Sequence, residues 1–172
     1  MLGLKRGTVI LSPHESEWET EAAQRIAELK EIFGDGAADI QHVGSTAVRG
    51  IRAKPIVDLA VGMRDLSALT GFLPLLAERG YIGPKEERPG EFLFVRGTEE
   101  IRTHHVHVVR FGSAPWRNYI RFRDRLNGDP ELAAAYDRLK AELFERYASD
   151  RASYTAGKAA FIAEVLAEPA EE

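Results

Sequence analysis

The sequence predicts an α+β fold, a mixed sheet with helices on one face and a helical C-terminal part. Three observations predict it: strand patterns alternate with helix patterns up to residue 112, the strand candidates are short and apolar, and only helical spacings follow from Ala114. The chain of 172 residues has the size of one domain. We expect that domain to span 1–172, with an α/β core over 1–112 and C-terminal helices over 113–168 packed on it.

The chain is expected to begin with an arm or edge strand and a helix. Residues 8–11 form a short apolar run that ends at Ser12 and Pro13. Ser16 and Glu19 match the capping-box pattern, and apolar residues at spacings of four, three and four follow. This pattern predicts a helix from Ser16 to the residue before Gly34.

Short apolar runs bounded by turn residues predict the strands. They cover residues 40–43, 56–61, 81–82, 92–95 and 105–109. A polar loop rich in glycine and proline is expected between the third run and the fourth.

Helical spacings and caps predict the remaining elements. Apolar residues over 66–76 indicate a helix that Pro74 bends or shortens. Pro115 suits the first turn of a later helix, and Asp129 caps another. Asp150 precedes the last one, which is expected to run to about residue 168, before a frayed tail over 169–172.

The composition excludes several classes of protein. The chain has no cysteine, so disulfide frameworks, zinc ribbons and thiol nucleophiles are excluded. No run is long and apolar enough to span a membrane, and the N-terminus lacks an apolar signal core, so we expect a cytoplasmic protein. The net charge of −4 argues against a general nucleic-acid binder.

The charges are unevenly distributed along the chain. Residues 40–64 carry a net charge of +3 and residues 101–128 a net charge of +5, so the rest of the chain is strongly acidic. Such segregation favours a small anionic ligand in a pocket. The competing interpretation is that many of these arginines lie on a solvated helix face.

The turn Gly44-Ser45-Thr46 ends a predicted strand. Exposed backbone N–H groups, two hydroxyls and the absence of a side chain at Gly44 would form a cradle for phosphate. The alternative is an ordinary turn with a helix cap.

Asp58 is the one acid in a strongly apolar strand, which indicates either an ion pair or a catalytic carboxylate. Ala60 shares its face and stands where a second carboxylate would be needed. His105 and His107 share one face of a later strand, and with Asp58 they could bind a divalent metal. The alternative is a pair of histidines hydrogen-bonded to carbonyls or to phosphate.

The last helix carries one lysine on an otherwise apolar face. Tyr154, Lys158, Phe161 and Val165 recur at spacings of four, three and four. Lys158 either extends along the apolar surface to solvent or reaches a phosphate.

The order of these motifs resembles the GrpB family, also called UPF0157. The resemblance is carried by residues 42–48, 53–58, 104–109, 122–124 and 154–158. It implies a branch of the nucleotidyltransferase superfamily, with a fold similar to the palm-like catalytic domain of DNA polymerase β. Some relatives are fused to dephospho-coenzyme A kinase, which suggests a nucleotide or coenzyme A context.

In that superfamily a Gly-Ser turn holds the triphosphate, and acids on two strands hold divalent metal. By position, Gly44 and Ser45 match the turn and Asp58 matches the first acid. His105 and His107 replace the later acid, so zinc, manganese or no metal is favoured over a carboxylate-rich magnesium site. The residues expected to contact phosphate or nucleotide are Gly44, Ser45, Thr46, Lys54, Arg102, Arg123, Tyr154 and Lys158.

Three functional hypotheses follow. The first is a nucleotidyltransferase-like protein that binds a nucleotide or a phosphorylated small molecule and transfers a nucleotidyl group to a small acceptor. Asp58, His105 and His107 would hold Mg²⁺, Mn²⁺ or Zn²⁺ or act as acid and base. The second is a nucleotide-binding or sensor module that lacks transfer chemistry because of Ala60. The third is a metal-dependent phosphoesterase built on the two histidines.

Overall fold

The computed structural model describes residues 1–167, so the predicted helix end at 168 and the tail over 169–172 lie outside the described residues. The strands are β1 (Leu4–Lys5), β2 (Ala37–Val43), β3 (Val57–Met63), β4 (Tyr81–Arg88), β5 (Glu91–Gly97) and β6 (Ile101–Arg110). The helices are α1 (Ser16–Phe33), α2 (Leu73–Glu78), α3 (Ala114–Gly128), α4 (Pro130–Tyr147) and α5 (Arg151–Ala167). Within this part of the chain, none of the helices has the length and apolar character needed to cross a membrane.

The strands form one mixed sheet, as the sequence predicts. Its order is β2-β3-β6-β5-β4, and β1 pairs with the start of β6. The pairing of β3 with β6 is parallel, whereas the other pairings are antiparallel. The register places Asp58 beside His105 and Ala60 beside His107.

The two faces of the sheet are covered by different helices. Alternate residues of β3, Val57 to Met63, point to one face and pack with α1 and with the segment that leads into α2. These are the helices on one face that the α+β prediction requires. The helical C-terminal part begins on the opposite face, where Ala60 packs with Trp116 of α3.

The N-terminal predictions need one correction. The capping box at Ser16 does not form, because Glu15 has the extended backbone of the N-cap and Ser16 is already helical. Residues 8–11 form a packed arm and not a strand. Val9 is buried against Leu143 and Tyr154, and its N–H donates to the Ala148 carbonyl.

Two further differences concern residues 66–91. The predicted polar loop is wrong, because β4 continues to Arg88 as an exposed edge strand that tolerates polar residues. The helix predicted over 66–76 is a 3-10 segment, Leu66–Phe72, followed by α2. Pro74 lies in the first turn of α2, where its missing N–H costs nothing.

The predicted starts of the C-terminal helices are confirmed. Pro115 lies in the first turn of α3, and the Asp129 carboxylate accepts from the N–H groups of Glu131 and Leu132. At the start of α5 the Asp150 carboxylate accepts from the Ser153 N–H.

The connection over 49–55 is fastened to the C-terminal helices. The Asn127 side chain of α3 accepts from the Arg49 N–H, and Asp137 of α4 pairs with the Arg52 guanidinium at 2.8 Å. Lys140 of α4 donates to the Arg52 carbonyl. These bonds fix the segment that carries Lys54.

Gly62 tests the packing of α3 on the sheet. A Cβ at Gly62 would lie 2.9 Å from Phe111 Cδ2 and 3.1 Å from the Trp116 ring. We expect Gly62→Ala to lower the free energy of unfolding by about 1–3 kcal/mol through overpacking. Gly71→Ala is the matched control, since a Cβ there meets nothing within 4 Å. Equal urea midpoints for the two variants would contradict the packing described.

Candidate functional site

A cavity of about 430 Å³ lies between the C-terminal helices and the sheet face that carries Asp58. Its size suits a small organic molecule. Nine of the eleven residues predicted for the site line it. They are Gly44, Ser45, Thr46, Lys54, Asp58, His105, His107, Tyr154 and Lys158.

Gly44 brings the turn into contact with Asp58. Its φ is +73°, and a Cβ there would lie only 2.7 Å from Asp58 Oδ2. The β2–β3 register explains this approach, because Val43 and Asp58 are paired. A side chain at Gly44 is therefore excluded both by the backbone conformation and by the carboxylate.

The turn continues as a short 3-10 segment, Ser45–Ala47. The first N–H groups of such a segment have no acceptor within it. The Ser45 hydroxyl lies 3.4 Å from the Tyr136 hydroxyl of α4. The Thr46 hydroxyl is buried and lies 2.8 Å from His42 Nε2, so it holds the turn against β2. Burial lowers the pKa of His42 to about 4, which keeps its ring neutral near pH 7.

Asp58 lies between the two histidines of β6. Its Oδ1 is 2.9 Å from His107 Nε2 and 3.6 Å from His105 Nδ1. Burial opposes ionisation of Asp58, but contacts with His105 and His107 outweigh it and hold the pKa of the carboxyl well below its usual range. The carboxylate is therefore ionised at the pH values at which enzymes work.

These three side chains fit a divalent cation. One ligand atom from each of Asp58, His105 and His107 lies within 4.8 Å of the others. One carboxylate and two imidazoles suit Zn²⁺ or Mn²⁺. A carboxylate-rich magnesium site does not fit, since Ala60 is fully buried against Trp116 where a second acid would stand.

The remaining charges on the cavity wall are mostly positive. Against the carboxylates of Asp58 and Glu91, the wall carries five cations. They are Lys54, Arg88, Lys140, Arg151 and Lys158. Burial, together with the charges of Lys158 and Arg151, lowers the pKa of Lys54 to about 7. Burial likewise lowers the pKa of Lys158 to about 8.

The lysines lie against two tyrosine rings. Lys54 Nζ is 5.5 Å and Lys158 Nζ is 4.9 Å from the centre of the Tyr154 ring. Lys140 Nζ is 4.8 Å from the centre of the Tyr136 ring. These cation–π contacts partly compensate the cost of burying three ammonium groups.

Arg102 and Arg123 do not line the cavity, although both were expected to contact the ligand. Arg123 donates to the side chain of Gln41 and to the carbonyl of His42, each at 2.9 Å, so it fastens α3 to β2. Arg102 lies where β6 pairs with β1, opposite Leu4.

The sequence interpretation missed several wall residues. Arg151 precedes Tyr154 by three residues and Lys158 by seven, a spacing that places all three on one face of α5. Lys140 follows Tyr136 by four residues on α4. Both spacings are visible in the sequence. The contact of the Tyr119 ring with the His107 ring, tilted by 35° and with ring centres 5.0 Å apart, has no local sequence signal.

Comparison with known proteins identifies relatives of this architecture. The model of the family described as GrpB protein matches residues 8–168. The glutamate-rich protein GrpB of Alkalihalophilus pseudofirmus is 38% identical over 173 residues, which cover 98% of this chain and 99% of that protein.

Solved structures show the same fold. The crystal structure of the conserved protein GrpB from Enterococcus faecalis has a TM-score of 0.84 and 26% identity, and the match covers 91% of this chain and 94% of that chain. Terminal uridylyl transferase 4 from Trypanosoma brucei, solved with bound CTP, has a TM-score of 0.52 and 15% identity over 91% of this chain and 51% of that chain. At that identity the likeness concerns the fold alone. The chain therefore belongs to the GrpB family, as its motifs predict, and has a nucleotidyltransferase-like fold.

Proposed function

We propose that this chain binds a nucleotide or another phosphorylated small molecule in its cavity, and that it transfers a nucleotidyl group from a nucleoside triphosphate to a small acceptor. One observation carries the proposal. The Gly44 turn, the ionised Asp58 and a group of partly buried lysines line the same cavity. The class of reaction is proposed by analogy with the nucleotidyltransferase-like fold.

An anion would relieve an electrostatic strain in this cavity. Burial lowers the pKa values of Lys54 and Lys158, and the positive charges of Lys158 and Arg151 lower that of Lys54 further, which means that these charges repel. Phosphate oxygens would accept hydrogen bonds from these cations and from the Ser45 hydroxyl. The N–H groups at the start of the 3-10 segment would add further donors.

The acidic side of the cavity would serve the transfer step. Asp58, His105 and His107 would hold a divalent cation, and this cation would neutralise negative charge on the transferred group. Gly44 keeps the ionised Asp58 against the phosphate turn.

Ala60 favours a second candidate, a binding module without transfer chemistry. The superfamily pattern implied by the resemblance has two acids on this strand, and here the second position is a buried alanine. Such a protein would bind the same ligands and release no product. Pyrophosphate release from a nucleoside triphosphate distinguishes the two candidates, while phosphate release from monoesters would favour the phosphoesterase hypothesis.

Ligand binding is expected to depend on Gly44. Isothermal titration with ATP, CTP and coenzyme A, with and without Mn²⁺, should show binding of at least one of them. Gly44→Ala should abolish it, because the new Cβ would displace Asp58. Gly50→Ala is the control, since its φ is also positive, at +75°, and a Cβ there meets nothing within 4 Å. If the wild type binds none of these compounds in any titration, the proposal is refuted.

Asp58 is expected to be essential for cation binding and turnover but not for folding. Asp58→Asn keeps the shape of the side chain and an oxygen acceptor for His107. We expect Mn²⁺ or Zn²⁺ affinity to fall by more than about tenfold, with a melting temperature close to that of the wild type. Asp124→Asn is the control, because Asp124 is exposed and pairs only locally with Arg123. A fall in melting temperature at unchanged metal affinity would instead assign Asp58 a structural role.

Anion affinity is expected to fall as the pH rises. With pKa values of about 7 and about 8, Lys54 and Lys158 lose their charge between about pH 6 and about pH 9. Only the protonated forms attract an anion, so affinity should be highest at low pH. Sulfate is a suitable probe because its own charge is constant over this range. Titrations should show a loss of about tenfold. The double variant Lys54→Arg, Lys158→Arg should reduce the dependence to the part due to Lys140, whose pKa burial also lowers to about 7. A flat wild-type profile would contradict this role of the lysines.

A further inference from the structure

Glu91 is a carboxylate on the cavity wall that the proposed function does not use. It lies at the start of β5, and its side chain is only 18% exposed. Among the described residues its ion-pair partner is Arg88, at 4.0 Å. The Arg88 side chain is 79% exposed, so this pair lies largely in solvent and contributes little. Glu91 therefore presents carboxylate oxygens to the cavity that no buried cation neutralises.

The register of the sheet places Glu91 on the face that carries the two histidines. Leu93 of β5 is paired with His107 of β6, and alternate residues of a strand share a face. Glu91 precedes Leu93 by two residues and is hence a diagonal neighbour of His107. Such neighbours lie about 7–8 Å apart. The Glu91 carboxylate is thus within the length of a small molecule of the histidines that contact Asp58.

Tyr119 of α3 adjoins both groups. The centre of its ring is 5.0 Å from the centre of the His107 ring. Burial raises the pKa of the Tyr119 hydroxyl, and among the neighbouring charges that of Glu91 raises it most. A carboxylate beside an aromatic ring suits an ammonium group, because the carboxylate accepts its hydrogen bonds and the ring attracts its charge.

The Glu91 end of the cavity differs in charge from the end that carries the lysines. Lys54 and Lys158 sense the charges of Asp58 and of neighbouring cations. They lie on the connection over 49–55 and on α5, whereas Glu91 lies two strands away from Asp58 in the sheet. Glu91 would repel a phosphate group but attract a cation. The cavity therefore suits two ligand groups of opposite charge.

We propose that Glu91 and Tyr119 form the subsite for a protonated amine of the acceptor. The acceptor is then a small amino alcohol, whose ammonium group contacts Glu91 while its hydroxyl extends toward Asp58. This inference rests on the proposed function and deepens it, because it names the chemical class of the acceptor.

The amine bound at Glu91 keeps its proton and does not react. In the transfer step the acceptor hydroxyl oxygen forms a bond to the α-phosphorus of the nucleoside triphosphate. The bond from that phosphorus to the bridging oxygen of the leaving group breaks, pyrophosphate departs with the electron pair, and the hydroxyl proton passes to water. Glu91 and Tyr119 orient the acceptor and take no part in this exchange of bonds.

Two compounds of equal length test the charge preference. Aminohexanol and hexanediol share one hydroxyl end and differ at the other, which is an ammonium group in the first and neutral in the second. Both are titrated by NMR into the full chain near neutral pH, with sulfate present to occupy the cationic end of the cavity. Aminohexanol should bind at least about tenfold more tightly, since it makes a charge-assisted hydrogen bond. Equal affinities in the wild type would overturn the subsite.

Glu91→Gln removes the charge at nearly constant shape. The preference for aminohexanol should disappear, whereas the melting temperature should stay close to that of the wild type, because the pair with Arg88 is weak. Glu87→Gln is the matched control, since Glu87 is an exposed residue of β4 outside the cavity wall and the substitution removes the same charge. Equal losses of the preference in both variants would show a general charge effect and overturn the subsite.

Glu91→Lys provides a second route, because it reverses the charge at the same position. Hexanediol should then bind more tightly than aminohexanol. A preference for aminohexanol that persists in this variant would place the amine elsewhere and overturn the inference.

Sulfate binding separates this inference from the proposed function. The sulfate affinity of Glu91→Gln should equal or exceed that of the wild type, because the substitution removes a negative charge from the cavity. If sulfate binds and the wild type shows no preference for the amine, the subsite falls and the proposed function stands. If sulfate does not bind to the wild type, both fail.

Discussion

The parallel pairing of β3 with β6 is the constraint on which the rest of the site depends. It sets Asp58 beside His105 and Ala60 beside His107, so the carboxylate and both imidazoles share one face. The antiparallel pairing of β2 with β3 then carries the Gly44 turn to the same carboxylate. A shift of either register by one residue would turn these side chains to the opposite face, where α1 covers the sheet.

The sequence predicted those parts of the molecule that depend on local patterns. The strand centres, the caps at Asp129 and Asp150, and the shared face of His105 and His107 follow from periodicity and short-range hydrogen bonding. The failures have physical causes that local patterns do not contain. The edge strand β4 can be polar because only one of its sides is paired with another strand. Ser16 is not the N-cap of α1, because the helix begins at Ser16 itself, one residue earlier than the capping-box pattern requires.

In the site, too, local patterns predicted some residues and long-range contacts determine the others. Residues that share a motif, such as Gly44 and Ser45, lie together in the cavity because they lie together in the chain. Arg123 was expected there because of its charge, yet its guanidinium is satisfied by β2. Lys140 lines the cavity and donates to the Arg52 carbonyl of the connection over 49–55. Such a contact between positions 88 residues apart cannot be found from local spacing.

The split origin of the cavity wall links binding to cooperative folding. The sheet supplies the carboxylate and imidazoles, whereas α4 and α5 supply the cations Lys140, Arg151 and Lys158. Neither half of the chain contains a complete cavity, and the helices hold the cations together against their mutual repulsion. A ligand that neutralises these charges would therefore act as a bridge between the two halves. Ligand binding would therefore stabilise the packing of the C-terminal helices on the sheet.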